Sequence, residues 1–262
     1  MKRKEIPLEE IRIIQLDILE KVHNYCIKNN IRYSLGGGTL LGAIRHKGYI
    51  PWDDDIDIMM PRPDYEKFIK DFNGLYKHYI VQHYKNDPTY HFPFAKIYDN
   101  RTILIEKTIR TGVFIDIFPI DGLPQEEKLA DYLKKYEYYL GLIYKTTYKH
   151  FNIKLSIDYL KTICMSLCKI NKIMSIDSFE MFCSQYDFES SNFCGCIVGL
   201  YKEKEHMKSE VFKKYISLPF EGKEFMAIAA FDDYLIKHYG NYMQLPPKES
   251  QIRPHSNKVW RV

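Results

Sequence analysis

Pro51-Trp52-Asp53-Asp54-Asp55-Ile56-Asp57-Ile58-Met59 is the stretch from which the fold can be read. Ile56 to Met59 has the makings of a strand, and side chains two apart on an extended backbone point to one face. Asp53, Asp55 and Asp57 are therefore expected on one side while Ile56 and Ile58 enter a core. Carboxylates gathered on one face repel one another unless cations neutralise them. Oxygen-only ligands with room for phosphate oxygens suit Mg²⁺ or Mn²⁺. An acidic surface turn would account for Asp53 and Asp54, but not for Asp57 between two isoleucines.

Upstream stands Gly36-Gly37-Gly38-Thr39. Residues without side chains let backbone N–H groups approach a phosphate, and a helix that follows adds its positive end. Thr39 is placed to cap that helix, which is expected to run to about Arg45. Downstream, Gly112 to Phe118 reads as a strand whose apolar residues flank one acid, Asp116. A buried acid is costly unless paired or metal-bound. It either completes a two-metal site or is held by a buried arginine.

Further out, Pro7 with Glu9 and Glu10 opens a helix whose Ile11, Ile14, Ile18, Val22 and Tyr25 share a face. Short strands are expected at 31–35, 79–84, 93–98 and 102–106, and a helix from Pro61 to Phe72. Several strands stand too close for helical crossovers, which predicts an α/β (α+β) fold with a mixed sheet. Pro119, Gly122 and Pro124 are expected to end the strand that carries Asp116. From Gln125 to Asn171 the periodicity is helical. Lys128 to Ile173 carries nine lysines against three acids, interleaved with Tyr and Ile. That segment is either a helical layer with a wet basic face or a surface for anionic lipid or a phosphate-bearing glycan. β-like pieces follow at 197–200 and 214–220, then a helix from Met226 to Tyr239 and an extended tail from Pro246-Pro247.

The bulk composition narrows the class. A net charge of +4 over 262 residues gives no reason to expect nucleic acid as a partner. The 22 tyrosines reflect either an AT-rich genome or a site that grips sugars, bases or quaternary amines. The six cysteines form no C-x-x-C pair, and Cys164 and Cys168 read as buried thiols on a helix. The charged opening lacks the apolar run of a secretory signal, and no apolar stretch approaches a membrane span. A cytoplasmic protein is expected.

Gly38-Thr39-Leu40-Leu41-Gly42-Ala43-Ile44-Arg45-His46 and Pro51 to Ile58 resemble the signature of the LicD family. Phe114-Ile115-Asp116-Ile117-Phe118-Pro119-Ile120-Asp121 and Tyr239-Gly240-Asn241-Tyr242-Met243-Gln244-Leu245-Pro246-Pro247 are similar to further family blocks. The resemblance runs from the first helix to the Pro-Pro tail, is tightest over Tyr33 to Tyr65, and is weakest from about Glu126 to Ser217. Family tails often read Arg followed by paired His, whereas this chain has Arg253-Pro254-His255-Ser256.

The family comprises bacterial phosphocholine transferases, with fukutin-type proteins as distant relatives. The resemblance implies a nucleotidyltransferase fold and transfer of phosphocholine from CDP-choline to a hydroxyl of a surface glycan precursor. The acceptor would be of teichoic acid, lipopolysaccharide or capsule type. It implies Asp55, Asp57 and Asp116 as metal and catalytic residues for Mg²⁺ or Mn²⁺, in a pair of ions. Asp116 or a metal-bound hydroxide would take the hydroxyl proton. Gly37, Gly38, Thr39, Arg45 and Lys96 become the phosphate- and nucleotide-binding set, with Asp53 and Asp121 behind the metal ligands. Trp52, Tyr49 and Phe92, with Tyr90 and Phe94, are candidates for a choline cage. Arg253 and His255 are candidates in the tail. The implied organisation is a catalytic core over 1–124, a helical region over 125–217 facing the acceptor or the inner membrane leaflet, and a tail over 218–262 returning to the core. Transfer of another phospho-alcohol, nucleotidylation of a small molecule, and a glycan-binding scaffold remain open alternatives.

Overall fold

The computed structural model describes residues 5–87, 90, 92–106, 109–147, 172–199, 201–252 and 258–262. Helix α1 (Leu8–Lys28) buries Ile11, Ile14, Ile18 and Val22 along one face, as its spacing predicts. It leads to β1 (Ser34–Leu35) and α2 (Gly37–His46). β2 (Asp57–Pro61) runs into α3 (Arg62–Asp71), where Pro63 stands in the first turn. β3 (Tyr79–Gln82) is followed by two long strands, β4 (Ala95–Glu106) and β5 (Ile109–Leu123).

These strands form one mixed sheet in the order β1-β2-β5-β4-β10, where β10 is Val259–Arg261. Only β2 and β5 are parallel; the other pairings along this path are antiparallel. The expected strands at 93–98 and 102–106 are one strand with an irregularity between Asp99 and Leu104. β5 passes through Pro119 and Gly122 to Leu123, because Pro119 stands opposite Met60 in a parallel pair and β6 (Phe193–Gly195) continues the ladder beyond it. Edge-like positions of this kind tolerate a missing N–H.

Helices α4 (Glu126–Thr147) and α5 (Lys172–Cys183) form the helical region, and most of the basic segment between them lies outside the described residues, as do Cys164, Cys168, Arg253 and His255. Within the region α-helix ends at Cys183 and only short 3-10 turns follow at Lys202–Glu205 and Ser209–Phe212: β6 pairs with β7 (Met207–Lys208), and β8 (Tyr215–Phe220) pairs with β9 (Lys223–Ile228). The expected strand at 197–200 is a turn over 197–199. The expected helix from Met226 begins only at Phe231, as α6 (Phe231–Tyr239), because Met226 to Ile228 are held in β9 by the Tyr215–Ser217 edge. The tail folds back, and β10 pairs with β4 while Ile6 N–H donates to the Val259 carbonyl.

The main core unites α1, the sheet and α6 around Ile18, Ile58, Ile97, Ile117 and Leu235. A second core of Tyr132, Tyr136, Ile176 and Phe179 lies between α4 and α5 and reaches Leu123 of β5. None of the described helices is long and apolar enough to cross a membrane.

Candidate active site

The parallel pair places Asp57 of β2 directly opposite Asp116 of β5, and the antiparallel pair places Lys96 of β4 opposite Asp116. Residues in register share a sheet face, so Asp57, Asp116 and Lys96 form a row across three adjacent strands. Lys96 Nζ lies 3.0 Å from Asp116 Oδ1 and 3.5 Å from the centroid of the Phe114 ring. Lys96 is 4% exposed and so is not the solvated edge residue a lone lysine would suggest, while Asp116, at 9%, is buried as its apolar strand implies. The counter-charge weighed for Asp116 is thus a lysine rather than an arginine.

Asp53, Asp55 and Asp57 are half-buried and line one cavity of about 720 Å³. Their common side follows the expected alternation, although the hydrogen-bonded ladder starts only at Asp57. Asp54 is buried between them rather than exposed in a turn, and its carbonyl accepts from Gln15 Nε2 at 2.9 Å. Asp53, Asp54 and Asp55 each offer an oxygen within 4.8 Å of the others. Burial raises the Asp57 carboxyl well above the usual carboxylate range, and the charges of Asp55, Asp116 and Asp53 push it further. Lys96 opposes that rise.

The glycines explain how the carboxylates come so close to α2. Gly36 is the N-cap, and Gly37 adopts φ +47° in the first turn. A Cβ on Gly38 would stand 2.8 Å from Asp53 Oδ2, and one on Gly37 would stand 3.3 Å from Asp57 Oδ2. The positive end of α2 therefore faces the acidic cluster. Gly37 N–H donates to the Tyr234 hydroxyl at 3.4 Å. Thr39 is not a cap: its Oγ1 accepts from the Asp57 N–H at 2.8 Å and fixes the start of β2.

Arg45 lines the cavity, with Nη1 donating to the Tyr242 carbonyl at 2.8 Å and Nε donating to His46 Nε2 at 2.9 Å. Burial and the Arg45 charge lower the His46 pKa, which keeps Nε2 an acceptor. Asp121 is not behind the carboxylates. It is fully buried five residues further along β5, about 16 Å at strand rise, where Arg62 grips it at 2.6 and 2.7 Å.

Of the cage candidates, only Trp52 lines the cavity. The Tyr49 ring is covered by Arg12 at 4.7 Å and by Phe220, while its hydroxyl donates to Gln15 Oε1 at 3.1 Å. Phe92 stacks on Phe94 at 5.3 Å and faces Lys96, and Tyr90 is buried in the helical region's core. The cavity's other aromatic residues are Tyr201, Tyr239 and Tyr242. Behind them Glu205 and His238 are buried, with His238 Nε2 3.2 Å from Glu205 Oε1. Tyr239 and Tyr242 fall in a block that resembles the family but carried no assigned role, and Tyr201, Glu205 and His238 were not singled out, because no spacing joins residues 201–205 to 238–242.

Asp57 and Asp116 on adjacent strands, near the glycine-rich start of α2, suit a transferase of the nucleotidyltransferase class, the class named by the family model that the chain matches. Residues 30–152 match the family model described as LicD/FKTN/FKRP, nucleotidyltransferase domain. The chain is 34% identical over 257 residues to the lipopolysaccharide cholinephosphotransferase LicD of Haemophilus influenzae, covering 96% of this chain and 97% of that protein. It is 31% identical over 139 residues to an uncharacterised protein of Rickettsia typhi, covering 52% of this chain and 43% of the other. The chain belongs to the LicD family and is a transferase.

Proposed function

We propose that this chain transfers phosphocholine from CDP-choline to a hydroxyl of a glycan precursor of lipopolysaccharide type. One observation carries the proposal: the cavity lined by Asp53, Asp55 and Asp57 belongs to a chain that matches a lipopolysaccharide cholinephosphotransferase over nearly its whole length.

The donor set fits Mg²⁺ or Mn²⁺. It is all oxygen, and the charges of Asp55, Asp116 and Asp53, which add to burial in raising Asp57, are what a divalent cation would relieve. Asp55 and Asp57 would hold the metal, with Asp116 behind them and Asp53 beside them. When bound, the metal supplies Lewis-acid neutralisation of the phosphate oxygens. The chain's own residues do the rest. Lys96 offsets the charge of Asp116 and holds the carboxylate row together. Arg45 offers the cavity's cationic side chain to the donor phosphates while fixing the Tyr242 segment. The new bond joins the acceptor oxygen to the choline-bearing phosphorus, and the bond to the bridging oxygen breaks, leaving CMP with the electron pair. The hydroxyl proton goes to a carboxylate oxygen of Asp55 or Asp53, which face the cavity. Asp116 lies deeper, against Lys96, and is worse placed for that step than the sequence suggested. Peripheral contact with the inner membrane leaflet, through the basic residues of the helical region, belongs to the same proposal.

A panel of CDP-choline, CDP-ethanolamine, CDP-polyols and nucleoside triphosphates, offered with a lipopolysaccharide acceptor and Mg²⁺, tests it by product mass. Addition of phosphocholine with release of CMP is expected. Addition of a nucleotide to the acceptor would replace this function with nucleotidylation.

A further inference from the structure

Part of the cavity wall is aromatic, close to the carboxylates, and its rings are braced from behind. Tyr201 and Tyr239 meet nearly at right angles, 81° with centroids 5.6 Å apart, and their hydroxyls are 3.0 Å apart. Tyr201 also lies edge-on to the His238 ring at 4.7 Å, and His238 Nδ1 is 2.8 Å from the Tyr234 carbonyl. Trp52, also in the lining, stands edge-on to His46 at 81°. His46 is tied to Arg45, and Arg45 also holds the backbone of Tyr242. The Tyr242 hydroxyl donates to Asp232 Oδ1 at 2.5 Å.

We propose that Trp52, Tyr201, Tyr239 and Tyr242 form the subsite for the donor's trimethylammonium group. The proposal rests on the choline reading above and names the side chains that would recognise that group. A quaternary ammonium has no N–H to donate, so hydrogen bonds cannot select it; aromatic faces within a negative field can. This cavity has both features, since among the described residues three aspartates and one arginine supply its charged lining. An ethanolamine head is smaller, carries three N–H donors and is more strongly hydrated, so the same wall disfavours it. Rings already held in place lose little side-chain freedom on binding, which favours affinity.

The chain has two tryptophans, Trp52 and Trp260. Trp260 lies on β10, so Trp260→Phe leaves Trp52 as the sole reporter inside the cavity. With Mg²⁺ present, CDP-choline, CDP-ethanolamine, CMP and tetramethylammonium chloride are titrated against that emission, with calorimetry alongside. CDP-choline and tetramethylammonium should change the emission. Tyr201→Leu and Tyr242→Leu should each weaken CDP-choline about tenfold while CMP affinity holds within about twofold. Tyr201→Phe keeps the ring and should keep CDP-choline affinity, which guards against loss of fold. If the variants bind CDP-choline as the parent does, or lose CMP equally, the subsite is overturned and the choline reading survives. If the parent binds no CDP-choline by calorimetry, the donor reading fails and the subsite falls with it.

Discussion

Asp57 and Asp116 face each other across the one parallel strand pair along the sheet's main path, where the Asp116 N–H donates to the Ile56 carbonyl at 2.9 Å. The strand register thereby sets the two residues side by side, so a change of rotamer can ease the repulsion between their carboxylates but cannot part the residues.

Asp57→Asn tests that arrangement. The neutral amide removes the most crowded charge, so thermal stability in chelator should hold or rise. Turnover should fall by about 10³-fold, the scale of the Lewis-acid contribution that would be lost. A variant as active as the parent would remove Asp57 from the metal-binding set.

Lys96→Met separates the counter-charge from the pair. Removing one partner of a buried ion pair costs about 3–5 kcal/mol, and urea unfolding in EDTA should show a loss of this size. Mg²⁺ should restore more stability to the variant than to the parent, because the cation substitutes for the lost ammonium. Equal responses to Mg²⁺ would place Lys96 outside the site's electrostatics.

Gly38→Ala is expected to act on the site more than on the fold. The new methyl would meet Asp53 Oδ2 at 2.8 Å and push that carboxylate away from the start of α2. Turnover should drop at least about tenfold, with stability changed by less than about 1 kcal/mol. Gly222→Ala is the contrasting control. Gly222 has φ +73° with nothing nearby, so alanine there should strain the backbone and leave turnover alone.

His83 predicts an acid-sensitive stability. Burial lowers its pKa to about 4 from 6.5, the nearby Lys85 and Arg62 charges adding to the fall and Glu180 opposing it. The unfolded imidazole therefore binds a proton below about 6.5, while the folded one stays neutral until about 4. Stability from this group is full above pH 6.5 and is lost as pH falls through that window. The loss amounts to about 3 kcal/mol at the lower end. His83→Gln should flatten the urea midpoint between those two pH values; an unchanged slope would assign the acid sensitivity elsewhere.

The acidic half of the site was legible from sequence because it is local. Asp53, Asp55 and Asp57 alternate along a single backbone run, and Asp116 stands out in an apolar strand. What sequence could not show depends on pairing between distant segments. Lys96 reads as a solvated lysine until β4 is set against β5. Asp121 matched a family block, yet its partner Arg62 belongs to α3 and draws it into an ion network with Glu180. The aromatic wall joins residues near 52, 201 and 240, and no periodicity signals such a convergence. The strand runs on through Pro119 and the helix starts later than Met226 for the same reason: long-range ladders override local turn and helix signals.

The helical region departs from the sheet after Leu123 and re-enters it at Phe193, and these two residues are direct cross-strand partners. Exit and entry thus coincide, and the segment between them behaves as a cassette mounted on a hairpin. Its length and outer surface can drift over generations while the strands bearing Asp57, Lys96 and Asp116 keep their alignment.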